Sequence, residues 1–513
     1  MVHAKAGAGV VLLLFLLGSG AASQAGKTTL GGKADDGEFL RRVMIDLVGF
    51  PPTAEQTKGF MDDTAPNKRS AKVDELLNTD EWADFWSRLF AEKYFGNYHS
   101  VRMDTMPNIS GAASDRIVKD FIRWFKMKLQ KDLPYTDMVA AMLDARGTDE
   151  GDPALAYKLA MYNEEGAVSE FATNVSRHLL GIRLLCAKCH DHPFDGWTVE
   201  HFYGLAAFNA RQRARGYGGS GQKDAVDHVE VRYADEGEAM INDVQIDSDI
   251  VKKSKSGGAA KPVFLFGGMA PPGPGVDRMK VLVQLMTGKS NTQLSKALVN
   301  QVWGWLNGRG IVNPVDDFNQ RNKPVIGGVL DSLASDFASS KYSIKHLVKA
   351  ICMSERYQKT CAADGVYARV DFSRGTVKQL NGEQLINSIQ VATKGKPERN
   401  VGQVLQMVQS LFPAGAIWCE TTPLPGNARQ ALLLRNNSEV AGWIRSGGVL
   451  TKIQSMQGSV EDKIDEMFLA ALSRKALDSE KTRYKAFIEK HGGNGFEDAY
   501  WTLLNSTEFV TRH

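Results

Sequence analysis

The sequence predicts an all-α fold, mainly helical and built as two domains, with a small β-containing insert in the middle. Apolar residues recur at helical spacing in both halves of the 513-residue chain. Capping signals and Gly or Pro breaks separate these runs at ordinary helix lengths. Extended segments are confined to one stretch rich in Gly and Pro, between Arg215 and Gly275. A chain this long exceeds what one hydrophobic core usually serves, hence the division into domains. Its 43% hydrophobic and 24% charged residues are those of an ordinary globular protein. The 62 basic and 59 acidic residues leave a formal charge of only +3, which gives no footprint for a nucleic-acid or membrane-surface partner.

At the N-terminus, Lys5 precedes an apolar run from Val10 to Leu17 and then the small residues Gly18 to Ser23. This is the layout of a secretory signal peptide, with cleavage after Ser23 or Ala25 and an apolar core too short to span a bilayer. The expectation is therefore a secreted protein, in the periplasm or at the cell surface, with no transmembrane segment in the mature chain. The first cysteine is Cys186, so no cysteine lies near the cleavage site to carry an acyl chain. The domain plan is a signal peptide over 1–25, an N-terminal helical domain over 26–210, an insert over 211–276 and a C-terminal helical domain over 277–513.

Phe39, Leu40, Val43, Met44 and Leu47 set the first helix, which stops at Gly49 before Pro51-Pro52. Thr53 and Gln56 form a capping-box pattern that starts the next. Thr79 and Asp80 open a third, whose Trp82, Phe85, Trp86, Leu89 and Phe90 make a broad aromatic stripe, read as core rather than a cofactor face. Further helices are predicted over 114–129, 135–145, 167–185 and 198–208. In the insert, HVEVRY near Val229 and PVFLF near Val263 read as extended, between the breaks RGYGGSG, KSKSGGAAK and GGMAPPGPG. Helical periodicity returns at Asp277, with breaks at Gly308-Arg309-Gly310 and Gly327-Gly328. Trp303, Leu306, Leu347, Ile351, Leu380, Leu385, Ile386 and Ile389 are its expected core.

One pentapeptide carries a strong chemical signal: CAKCH, from Cys186 to His190, in a loop between two predicted helices. Covalent haem attachment requires this spacing. Two cysteines one turn apart add across the two vinyl groups of one porphyrin, and the adjacent histidine binds the iron from one face. With five cysteines and ten histidines in the chain, chance matches are expected on the order of one in a thousand. Cys186 and Cys189 are read as the thioether residues and His190 as the proximal ligand, with haem c as the cofactor. His178, His201, His228, Met240 and Met269 are candidates for the opposite face, and spacing does not choose among them.

Two other readings of the loop stand beside this one. C-x-x-C is also half of a zinc knuckle, which gives zinc or another divalent metal held by Cys186, Cys189, His190 and His192, with Asp191 and Asp195 in the same loop. A plain disulfide between the two cysteines is the other. Asp191, His192 and Asp195 either orient His190 or cap the helix that begins after Thr198. Cys352, Cys361 and Cys419 allow three single bridges, none favoured. Arg309 with Asp316 and Asp317 reads as a buried ion pair or helix cap, and Arg42 with Asp46 as an ordinary surface pair four residues apart. The glycines near Gly218 and Gly267 follow no phosphate-loop spacing, and neither a zincin motif nor a nucleophile elbow occurs.

FLRRVMIDLVGFPPTAEQ, then CAKCHDHPFDGW and FYGLAAF, resemble the planctomycete-type cytochrome-c-like secreted family. ALVNQVWGWLNGRGIVNPVDDF, SIKHLVKAICMSERYQ, ALSRKALDSE and LLNSTEF resemble its usual C-terminal partner domain. The resemblance implies an exported two-domain protein with an exported protein partner. It marks Cys186, Cys189, His190, Asp191, His192 and Asp195, while Gln301 stands where the family more often has arginine. The expected function is an exported c-type-haem-binding protein serving electron transfer or acting as a redox component. The alternatives are a secreted structural or partner-binding module with a zinc or disulfide staple, and a metal-dependent extracellular enzyme using His192 and Asp195. Whether the chain is an enzyme is left open.

Overall fold

Asp35 starts the first helix by accepting the Glu38 N–H, and α1 (Asp36–Val48) runs to Gly49, whose φ of 83° ends it. The computed structural model describes residues 32–96, 109–161, 167–218, 226–237, 239–241, 258–361, 372, 374–398 and 437–513. The segment read as a signal peptide and Cys419 lie outside the described residues. The Thr53–Gln56 capping box is formed and opens α2 (Ala54–Asp62). A helix not foreseen from periodicity follows, α3 (Lys68–Leu77), and Thr79 then caps α4 (Asp80–Phe95) through the Trp82 N–H.

The N-terminal half continues with α5 (Gly111–Gln130), α6 (Tyr135–Asp144), the short unforeseen α7 (Leu155–Leu159), α8 (Ala167–Leu180) and α9 (Val199–Ala206). The predicted helix over 167–185 is thus shorter than expected. Gly181, at φ 67°, stops it, and the chain re-enters a helical turn only as a 3-10 segment, Leu185–Lys188. Beyond the insert come α10 (Arg278–Thr287), α11 (Thr292–Asn307), α12 (Val329–Ser339), α13 (Ile344–Cys352) and α14 (Gly382–Lys394). Helices at Ser438–Ser446, Val449–Ser455, Val460–Leu472, Asp478–His491 and Gly495–Leu504 complete the C-terminal part.

Among the described residues the fold is mostly helical, with only small antiparallel sheets. β1 (Gly147–Thr148), β2 (Gln212–Tyr217) and β3 (His228–Tyr233) pair in the order β1-β3-β2. Val229 and Val231 of the HVEVRY segment point inward between half-exposed neighbours, the alternation expected of a half-buried strand. Part of the predicted RGYGGSG break is strand, since Arg215, Gly216 and Tyr217 pair with Glu230, Val229 and His228. PVFLF forms no regular strand: Val263 bridges Met269 across a tight turn through Gly267 and Gly268, both at positive φ.

The aromatic stripe of α4 is core. Trp305 of α11 meets Trp86 and Phe90 edge-on at 5.7 and 5.2 Å, joining residues from either side of the insert. One apolar cluster extends from Phe39 to Phe372, and a second from Leu380 to Phe509 takes in Ile45 of α1. Trp303, Leu306, Leu347 and Ile351 are buried in the first, and Leu380, Leu385, Ile386 and Ile389 in the second.

The expected surface pair Arg42 and Asp46 is neither exposed nor a pair. Both side chains are buried where α1 meets the C-terminal residues. Asp46 accepts from Arg512 Nε and Nη2 at 2.9 and 2.6 Å, from Tyr357 Oη at 2.9 Å and from Lys378 Nζ at 2.6 Å. Arg42 donates to the Tyr357 and Lys359 carbonyls and pairs with Glu38. Arg512 reaches Asp46 because the two-residue strand Thr511–Arg512 pairs with Lys378–Gln379. Among the described residues, no helix is long and apolar enough to cross a membrane.

Candidate functional site

Gly181 is where the C-x-x-C-H loop leaves α8, and the turn is tightly fitted. Gly181 O accepts the Phe318 N–H at 2.7 Å, and a Cβ on Gly181 would stand 2.8 Å from Phe318 Cδ2. Arg177 and Arg183, on either side of this turn, bond Asp316 at 2.6 and 2.7 Å. Asp316 was expected to join Arg309; its partners are instead these two arginines, and Asp317 accepts from the Asn322 amide. The start of the loop is thus clamped to the segment that follows α11.

Leu184, just before the 3-10 segment, and Ala187 within it are buried and pin the turn to the core. Cys186 and Cys189 on its other face are exposed free thiols, not a disulfide. His190 follows, and its Nδ1 lies 2.8 Å from the Asp191 carbonyl oxygen. A carbonyl only accepts, so Nδ1 carries the ring proton and Nε2 keeps its lone pair. This is the tautomer that binds a metal through Nε2, with the second nitrogen held by a carbonyl.

The neighbouring imidazoles are set the other way. His192 Nδ1 accepts the Phe194 N–H at 3.3 Å, and His201 Nδ1 accepts the Thr198 N–H at 2.9 Å, so each carries its proton on Nε2. Asp191 Oδ1 accepts the Val199 N–H at 3.1 Å and so helps start α9, while Asp195 Oδ1 accepts the Gly196 N–H at 3.0 Å. Their hydrogen bonds are those of a polar loop that caps a helix. Among the described residues, no three His, Cys, Asp or Glu side chains are gathered as a metal site, those of this loop included.

The loop also presents apolar surface that sequence reading did not single out. Leu185 and Phe194 are more than half exposed, and Phe266 and Met269 of the neighbouring turn nearly so. The Phe266 ring meets Trp197 at 6.1 Å, Trp197 meets His201 at 5.4 Å, and the Arg321 guanidinium covers Phe194 at 4.1 Å. The only signal for this in the sequence was the pair of aromatic residues in DHPFDGW; which of them stays exposed depends on what packs against the loop.

Other predicted residues are elsewhere. His178 is part-buried, ring against ring with Tyr94 at 5.9 Å and Tyr157 at 6.1 Å, its Nδ1 shielded from water without a hydrogen-bond partner, and burial followed by the Lys93 charge holds its pKa well below the usual histidine value. His228 stacks on Tyr217, and its Nδ1 lies 3.3 Å from the Arg116 guanidinium, which only donates. Cys352 and Cys361 are buried free thiols, and burial raises the pKa of both.

Residues 20–214 match a family described as a protein of unknown function (DUF1549), named PSCyt2, and residues 278–413 one described as a protein of unknown function (DUF1553), named PSD1. The chain therefore carries these two domains of unknown function, and their names fit proteins of planctomycete type. No curated protein and no solved structure matches the chain.

Proposed function

We propose that the chain is an exported c-type-haem-binding protein that acts in electron transfer or as a redox component. The observation that carries this reading is His190: its Nδ1 is committed to the Asp191 carbonyl and its Nε2 lone pair is free, beside two exposed thiols on one 3-10 turn. Cys186 and Cys189 would each add S–H across a porphyrin vinyl, the sulfur bonding one carbon and the hydrogen the other, with no external oxidant. His190 would bind the iron through Nε2. Bound there, haem supplies a one-electron ferric–ferrous couple.

The residues around the site fit that group. Buried Leu184 and Ala187 fix the turn, the Arg177–Asp316–Arg183 clamp holds its approach, and Leu185 and Phe266 leave exposed apolar surface beside it. Asp191 does two things at once, orienting His190 through its carbonyl and opening α9 through its carboxylate. A zinc staple draws less support, because the imidazole of His192 is committed in the opposite tautomer. The exposed apolar loop favours a second reading, a secreted module that docks an exported protein partner on this face.

The test is a pyridine haemochrome spectrum of protein made in a host with c-type maturation machinery, beside a Cys186→Ala/Cys189→Ala control. A c-type alpha band lost in the control supports the proposal. A colourless protein overturns it, and elemental analysis of the same sample then decides between a metal staple and a free-thiol docking loop.

A further inference from the structure

A cleft of about 640 Å³ lies between α3, the turn after α5 and the α12–α13 pair, and no residue of the cysteine loop lines it. That volume is within the range of small-molecule sites, ~300–1,000 Å³. One wall, with Asp74, Asn78 and Asp132, comes from the region matched to DUF1549. The other, with Asp336, Ser343, His346 and Lys349, comes from the region matched to DUF1553. Among the described residues that line it, Leu77 alone is apolar, which argues against an apolar ligand.

The polar groups bond across the cleft and are only partly used. Lys349 Nζ donates to Asp74 Oδ2 at 2.7 Å, Ser343 Oγ to Asp132 Oδ2 at 2.7 Å, and Lys345 Nζ to Asn78 Oδ1 at 3.0 Å. Lys345 is also held over the Trp82 ring at 5.5 Å. Within the second wall, His346 Nε2 donates to Asp336 Oδ2 at 2.7 Å. Among the described residues, no hydrogen bond reaches Oδ1 of Asp74, Asp132 or Asp336. An ammonium has three protons, and Lys349 gives one of them to Asp74. Unused acceptors therefore stand beside unused donors, on side chains whose positions are already fixed.

The backbone is unusual at the same place. Of the five non-glycine residues at positive φ among the described residues, Asp132 at 49° lines the cleft, and Lys341 at 59° and Tyr342 at 58° lie between its lining residues Ser340 and Ser343. Such conformations are costly and gather at ligand clamps. The Tyr342 N–H donates to Phe337 O at 2.9 Å and Tyr342 O accepts the Tyr135 N–H at 3.0 Å, so the turn between α12 and α13 is pinned from both sides. It delivers Ser343 to Asp132.

The geometry points to a binding site for a neutral carbohydrate in this cleft. Each hydroxyl of a sugar both donates and accepts, so adjacent hydroxyls can bridge a carboxylate oxygen and an ammonium proton while the existing ion pair stays intact. The lining charges nearly balance, with three carboxylates against two ammonium groups and one imidazole. An anion would face the carboxylates and a cation the ammonium groups, and either would have to break a pair to gain a partner. The inference is independent of the haem reading.

The experiment places the full chain on an array of neutral, carboxylated and sulfated oligosaccharides, and measures affinity for the retained neutral ones by isothermal titration calorimetry. Wild type is compared with Asp336→Ala, Lys349→Ala and Asp132→Asn, and with Arg445→Ala, an exposed residue outside the cleft, as control. The Asp336 and Lys349 side chains are 52% and 38% exposed, so their variants should keep the wild-type melting temperature. Asparagine suits the left-handed backbone at 132, so that variant tests the carboxylate without disturbing the turn. Neutral glycans bound by wild type and Arg445→Ala, and at least about tenfold more weakly by the three cleft variants, support the inference. Retention of no neutral glycan, retention of charged glycans only, or equal affinity in the cleft variants overturns it.

Discussion

Replacing Asp46 tests whether the C-terminus is locked to the first helix by a buried ion cluster. Its carboxylate receives four hydrogen bonds from Arg512, Tyr357 and Lys378, and the Asp46 and Arg512 side chains are almost wholly shielded from water. Asp46→Ala would leave two cations buried without their counter-charge, a change that costs about 3–5 kcal/mol. The loss is set against a typical total stability of roughly 5–15 kcal/mol. An exposed pair, Lys72 with Glu75, serves as the control, and its removal should cost no more than about 1 kcal/mol. The assay is urea unfolding followed by far-ultraviolet circular dichroism, with Arg512→Ala and the double variant completing a cycle. The double variant should cost less than the sum of the singles, because each single strands a charge that the other removes. Burial works against the Asp46 carboxylate, yet Arg512 and Lys378 outweigh it and hold its pKa below the ordinary range. A depressed folded-state pKa means that its stability is present above the unfolded value, about 3.9, and is lost as pH falls through the folded one. Equal unfolding midpoints for wild type and Asp46→Ala at neutral pH, or a strictly additive cycle, would refute the reasoning.

In haem-free protein, Cys186 and Cys189 should react with a maleimide under native conditions, while Cys352 and Cys361 react only on unfolding; mass spectrometry of the labelled peptides reads this, and rapid labelling of Cys352 contradicts the packing. Gly181→Ala places a Cβ against the Phe318 ring at a positive φ, and should cost about 1–3 kcal/mol. It should also lower covalent haem yield, because the loop's take-off from α8 moves; unchanged thermal stability and yield would remove the argument. Glu92 has a buried Oε2 without a hydrogen-bond partner, and burial followed by the Glu383 charge pushes its pKa up to about 8. A raised folded-state pKa means that its contribution is present below 4.5 and lost as pH rises through about 8. Glu92→Gln should therefore flatten the fall in stability over that interval, and a wild-type slope retained in the variant would count against it.

Much of the helical plan was legible because its signals are local. Thr53 with Gln56, Thr79 before α4, and Gly49 after α1 act within one turn of the backbone, and each holds in the fold. Sequence patterning missed α3, which buries only Val73, Leu76 and Leu77, and the five-residue α7, and overextended α8, whose end is imposed by Gly181 against Phe318. The β1 segment was not visible either, because two residues become a strand only when β3 is beside them.

The site divides in the same way. The chain by itself determined the C-x-x-C-H spacing, the density of His and Asp after it and the aromatic core stripe, all of which are encoded within a few residues. The tertiary structure decided which groups are available. It gave Asp316 to Arg177 and Arg183, buried Arg42 and Asp46, left Phe194 and Met269 exposed, and set His190 in one tautomer with His192 and His201 in the other. The physical reason is that Asp46 and Arg512 stand 466 residues apart, and an imidazole's proton follows whichever group packing brings to it. Spacing along the chain encodes neither.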